Sequence, residues 1–158
     1  MDPDNHVIRL CVAGMAAEEA VRHDEARILF EQAWRQSTDD VEACIAAHYV
    51  ARQQDNLEKT LWWNQLALAR ADSSRDARVQ PFYSSLHLNV GKAFEDLGQI
   101  ATARHHYERA NAYLGEIGDG GYRVLVAFGV RRALERTKGA MSHLVQGQPI
   151  AARSARVS

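Results

Sequence analysis

Apolar and small residues along this chain recur every three to four positions, the period of an amphipathic helix, and alternation of the kind a strand needs is almost absent. Asp2 before Pro3 reads as an N-cap with proline at the first helical position and predicts a helix from about residue 3 to 20. His23 and Asp24 mark a turn. A second helix, about 24–36, then carries Ala26, Phe30, Ala33 and Trp34 on one side and Arg27, Glu31 and Arg35 on the other. Ser37-Thr38-Asp39-Asp40 predicts the cap of a third helix, about 40–54, with Asp39 or Asp40 accepting a backbone N–H. A fourth follows over about 56–71, bearing Leu57, Leu61, Leu66 and Leu68 beside Trp62 and Trp63. Pro81 is tolerated in a first turn, so the fifth helix starts near 78–81, or earlier with a kink, and ends near 97. The sixth spans about 100–114, and glycines at 115, 118, 120 and 121 separate it from a seventh, about 122–137.

Within this series, Gly91, Phe94, Gly98, Ala103, Tyr107 and Ala110 stand at mutual offsets of 0, 3, 7, 12, 16 and 19, and together they draw one complete helical hairpin. Gly91 lets two backbones approach, Phe94 fills the gap and Gly98 permits a left-handed turn, while Ala103, Tyr107 and Ala110 form the inner stripe of the returning helix. Gly14, Ala26, Phe30 and Ala33 repeat those offsets, with Ala17 in the place of the first-helix aromatic. A third copy has Ala51, Asp55, Leu57, Thr60 and Ala67; it places His48 where the others have glycine and Asn64 where they have an aromatic. The anchors Ala26, Thr60 and Ala103 are 34 and then 43 residues apart, so nine extra residues enter before the last hairpin.

The string of small and aromatic positions in a 34-residue unit resembles the tetratricopeptide repeat, over roughly residues 7–115. The resemblance implies an all-α, right-handed superhelix of antiparallel helix pairs, about seven helices in all. Its expected organisation is a single domain, 1–138, with repeats at about 7–40, 41–74 and 78–117. A capping helix would follow at 122–137 and a disordered tail at 139–158, where Ala, Ser, Gly and Gln dominate and no acid occurs.

Lys plus Arg number 19 against 20 for Asp plus Glu, so no net field favours nucleic acid or an anionic membrane. The N-terminus has neither basic residues nor an apolar run, and Cys11 and Cys44 read as small buried hydrophobes in a soluble cytoplasmic protein. The seven histidines lack metal-ligand spacing, and no cofactor is expected. There is no nucleophile elbow, no phosphate loop and no strand-helix alternation, so an enzyme such as a cofactor-dependent methyltransferase is disfavoured.

The resemblance places the first helix of each hairpin on a concave wall and implies a non-catalytic module binding a protein or peptide there. Counted from the anchors, Ile45, Tyr49, Arg52, Leu88 and Lys92 are the expected partner contacts. Relatives that grip a C-terminal carboxylate use Lys and Asn in the first repeat, Asn in the second, and Lys and Arg in the third. Cys11, Met15, Ala46, Ser85 and Asn89 occupy those positions here, so that clamp is missing. The apolar part of the wall either receives a ligand or packs beneath the seventh helix. Trp62 and Trp63 point about 100° apart on a helix, so one of them is expected on the convex surface, where it could support self-association of a structural or regulatory module.

Overall fold

The computed structural model describes residues 4–145, with side chains to residue 140. Seven α-helices occur among the described residues: α1 (His6–Glu19), α2 (His23–Gln36), α3 (Asp40–Ala51), α4 (Leu57–Ser73), α5 (Tyr83–Asp96), α6 (Ile100–Ala112) and α7 (Gly121–Val145). Short 3₁₀ segments, Ala77–Phe82 and Leu114–Glu116, precede α5 and follow α6. No strand occurs among these residues.

Each odd-numbered helix pairs with the even-numbered helix after it, giving three hairpins stacked in a row, and α7 lies on α6 and α5 at the far end. Close approach inside the first and third hairpins depends on glycine. A Cβ on Gly14 would stand 2.3 Å from the Phe30 ring, and one on Gly91 would stand 2.6 Å from the Tyr107 ring and 3.1 Å from the Ala103 carbonyl. Gly98 turns the third hairpin at φ +75°, and Val21, seven residues after Gly14 as Gly98 is after Gly91, adopts φ +60° in the first.

The stripes that face inward are the ones the offsets select: Ala26, Phe30 and Ala33 on α2, and Ala103, Tyr107 and Ala110 on α6, are all fully buried. One core joins all three hairpins through Cys11, Cys44, Ile45, Ala67 and Leu86. A second joins α6 to α7 through Ala110, Val126 and Val130. An ion pair fixes α7 as well. Arg136 donates from Nε and Nη2 to Glu95 at 2.6 and 2.7 Å, while the Tyr107 hydroxyl donates to the same carboxylate at 2.5 Å. The bond from Arg136, helped by the Tyr107 hydroxyl, holds the Glu95 carboxyl below its usual range against the opposing effect of burial.

Several boundaries differ from expectation for local reasons. The first helix is capped by Asn5, whose Oδ1 accepts from Ile8 N at 3.0 Å, whereas the expected Asp2 and Pro3 lie outside the described residues. Asp39 caps α3, accepting from Glu42 N at 2.8 Å. Pro81 sits inside the Ala77–Phe82 segment, and the regular helix begins two residues later. The final helix does not stop at 137: it continues past Gly139 to Val145, so the first seven residues of the expected tail are helical, and 146–158 lie outside the described residues.

Candidate functional site

The concave wall is built from α1, α3 and α5, and 100° per residue brings Ile45, Tyr49 and Arg52 of α3 to one side of that helix. Ile45 is buried in the floor. Tyr49 is half-buried: its ring stacks on Phe30 at 5.0 Å, and its hydroxyl donates to Met15 Sδ at 3.0 Å. Arg52 lies over the Tyr49 ring at 5.6 Å and pairs with Glu18 of α1 at 2.8 Å. These three residues form one continuous surface.

Leu88 and Lys92 extend it only in part. Leu88 is turned toward α7, where its Cδ2 lies 3.1 Å from the place a Gly129 Cβ would take, so its packing is beneath the seventh helix. Lys92 is exposed and pairs with Asp96 one turn on. Of the tryptophans, Trp63 is enclosed, edge-on to Trp34 at 5.2 Å, and Trp62 is the exposed one at 56 %.

Between α3 and α5 the wall opens into a pocket of about 220 Å³ lined by Cys44, Ile45, His48, Tyr49, Phe82, Ser85, Leu86 and Tyr122. Two of these come from unexpected places: Phe82 ends the 3₁₀ segment in the inserted stretch, and Tyr122 reaches in from the first turn of α7. In the sequence, Tyr122 only opens the expected capping helix at 122–137. The signal available was an aromatic set directly after a glycine-rich break, at the end of the helix nearest the wall. His48 was noted only as a departure from the small-residue pattern; in the fold its Nδ1 lies 3.2 Å from Asn89 Nδ2, across the gap to α5.

Burial dominates the electrostatics of the pocket. It lowers the His48 pKa to about 4, with Arg52 adding to the effect, so the imidazole is neutral at pH 7. It pushes the Cys44 thiol up to about 12, helped by Asp72, and the Cys11 thiol to about 12 as well. Protonated thiols are poor nucleophiles and metal ligands. Among the described residues no three His, Cys, Asp or Glu side chains are grouped to hold a metal ion. His87 and His106 meet, Nδ1 to Nδ1 at 3.0 Å, on the α5–α6 interface. They stack there with Tyr113 and Phe94, respectively.

Stacked hairpins with an apolar pocket on the inner wall define a helical-repeat domain of the tetratricopeptide architecture. The chain is similar in fold to the crystal structure of the Sgt2 TPR domain from Aspergillus fumigatus, with a TM-score of 0.66 and 21 % identity, over 99 % of this chain and 93 % of that one. No family model and no curated protein matches the sequence. Among the described residues no helix is long and apolar enough to cross a membrane.

Proposed function

We propose that the protein is a non-catalytic, cytoplasmic scaffold or adaptor that holds a protein or peptide segment on its concave wall, seating one large apolar side chain of the partner in the pocket between α3 and α5. The observation that carries this reading is the pocket itself: about 220 Å³ with predominantly apolar walls, opening on the wall where Tyr49 and Arg52 are presented. Arg52 lies over the Tyr49 ring beside the pocket and Lys92 is further along α5; both are already paired to acids of the same chain, so they orient a partner more than they select an acidic one. The two unpaired thiols, both buried, suit a reducing compartment.

Selection of peptides from a random display library on the purified chain tests the groove. Recovered sequences are expected to share a bulky apolar residue, and Tyr49→Ala with Lys92→Ala is expected to weaken them by about tenfold or more; losing the Tyr49 stacking on Phe30 lowers the melting temperature, and a far-ultraviolet circular dichroism spectrum that stays helical checks the fold. Peptides whose affinity is unchanged in that double variant would remove the concave wall from consideration. A second reading, self-association through the convex surface, rests on the exposed indole of Trp62 and predicts a concentration-dependent mass that Trp62→Ala abolishes.

A further inference from the structure

The far end of the stack is unlike a solubilising cap. End units of repeat arrays carry polar outer faces, yet α7 exposes Val124 at 70 %, Leu125 at 68 % and Phe128 at 52 %. These three lie within about 100° of one another on the helix, opposite the buried line of Val126, Val130 and Ala133. Nor is the face the waiting half of a fourth hairpin. The buried line reproduces the spacing of Leu86, Val90 and Ala93 on α5, and this register puts Arg131 where α5 has the Gly91 that admits Tyr107. A returning helix would meet a guanidinium where a glycine is needed.

The charge on this face is one-sided. From Gly121 to Val145 the chain has Arg123, Arg131, Arg132, Arg136 and Lys138 against Glu135 alone, which is five minus one, or +4. Arg123 and Arg136 are ion-paired, to Asp119 and Glu95. Arg131 and Arg132 instead lie over the Phe128 ring at 5.8 and 5.9 Å, with no carboxylate partner among the described residues.

At the other end of the molecule the balance is reversed. Across the α1–α2 turn, residues 18–27, four acids stand against two arginines, a net of −2. Glu18, Asp24 and Glu25 at the α1–α2 turn are ion-paired to Arg52, Arg27 and Arg22, exposed Glu19 stands beside them, and at the tip Val21 is 73 % exposed with φ +60°. A β-branched residue is strained in that conformation, where the third hairpin uses glycine. The turn therefore presents an apolar side chain, in a costly backbone conformation, within an acidic surround.

We infer that the protein self-associates end to end, the acidic α1–α2 turn of one copy, led by Val21, docking on the basic and apolar outer face of α7 of the next. Charge selects this pairing over a symmetric one. Two α7 faces brought together would oppose Arg131 and Arg132 to their own copies, whereas turn against α7 opposes a net of −2 to those two arginines. The contact is heterologous, so association continues past a dimer unless the rotation closes a ring. It is independent of whether the concave wall binds a peptide.

The test is sedimentation velocity of the full chain from about 10 to 300 μM. The expected result is a weight-average mass that rises with concentration beyond the dimer, and an association constant that falls about tenfold or more between 50 and 500 mM salt. Phe128→Glu, Arg131→Glu with Arg132→Glu, and Glu19→Lys with Asp24→Lys should each give a monomer. All of these positions are exposed, and an unchanged circular dichroism melt checks that each variant folds. Mixing the two charge-reversed proteins should restore association between them alone. A wild-type monomer throughout, a dimer indifferent to Glu19→Lys with Asp24→Lys, or association abolished by Trp62→Ala would overturn the proposal. So would a monomer that binds vesicles of anionic lipid through Phe128, which would assign the face to a membrane.

Discussion

Three helix-interior glycines can be replaced by alanine with opposite expected outcomes, because helix propensity acts alike on all three and packing does not. Removing glycine from a helix interior contributes about 1 kcal/mol of stability. At Gly91 the added Cβ would stand 2.6 Å from Tyr107 Cε1, and Tyr107 is fully buried with its hydroxyl tied to Glu95. The Ala103 carbonyl at 3.1 Å belongs to the backbone of the partner helix and cannot swing aside. Relief requires α5 and α6 to separate, an overpacking cost near the upper end of about 1–3 kcal/mol, so the net loss is about 1–2 kcal/mol. For a chain of this size that lowers the melting temperature by about 2–8 °C. Gly14→Ala meets Phe30 at 2.3 Å and should lose as much or more. Gly129→Ala meets only Leu88 Cδ2 at 3.1 Å, the end of a flexible side chain, and should be neutral or gain up to about 1 kcal/mol. Thermal and urea unfolding followed by far-ultraviolet circular dichroism ranks the series. A Gly91→Ala protein as stable as the wild type, or a Gly129→Ala protein that falls as far as Gly91→Ala, would refute the packing argument.

Val21→Gly should stabilise the chain by about 0.5–1 kcal/mol, since the strain of a left-handed β-branched residue outweighs the entropy of glycine; a lower melting temperature would contradict this. Burial lowers both His48 and His87 to a pKa of about 4, with Arg52 acting on the first and His106, then Arg109, on the second. The unfolded chain therefore binds more protons below pH 6.5, so this stability is complete above about 6.5 and is lost as pH falls toward 4. Urea midpoints flat between pH 7 and 4.5 would count against neutral imidazoles in the fold. Glu95→Gln leaves Arg136 and the Tyr107 hydroxyl without their shared carboxylate and should cost about 2 kcal/mol, with part of it recovered in Glu95→Gln/Arg136→Gln; denaturant titration of both proteins measures the coupling.

The architecture was legible because the hairpin is written in a few residues whose physical demands are strict. Gly14 and Gly91 sit where any Cβ collides, and Phe30 and Tyr107 are the rings that make them necessary. That coupling fixes the helix order even where flanking positions drift. Helix ends were less legible. Asn5 caps α1 in place of Asp2, and α7 runs through Gly139, since a lone glycine costs a long helix only about 1 kcal/mol against alanine. Of the candidate site, only the shared side of α3 was legible. Ile45, Tyr49 and Arg52 follow from helical periodicity within a single element, whereas Leu88 depends on where α7 comes to rest, a tertiary fact that no spacing within α5 encodes.

What repeat spacing does not supply is also what gives the pocket its character. His48 replaces the small residue of the second hairpin, the nine-residue insertion delivers Phe82, and Tyr122 comes from a helix outside the three repeats. These features are far apart in sequence, and each alone is a blemish on the pattern. A chain under selection for stacking alone would scatter such departures over the surface, where they cost least. Here they converge on one concavity, and His48 is held neutral against Asn89 at its edge at the expense of an ordinary imidazole pKa. Local rules broken together at one place are what the proposed binding role predicts. The corresponding wager is specific: restoring the pattern with His48→Gly should leave the stack helical and deprive peptides selected on the wild-type groove of most of their affinity, and retention of that affinity would return His48 to the status of a packing accident.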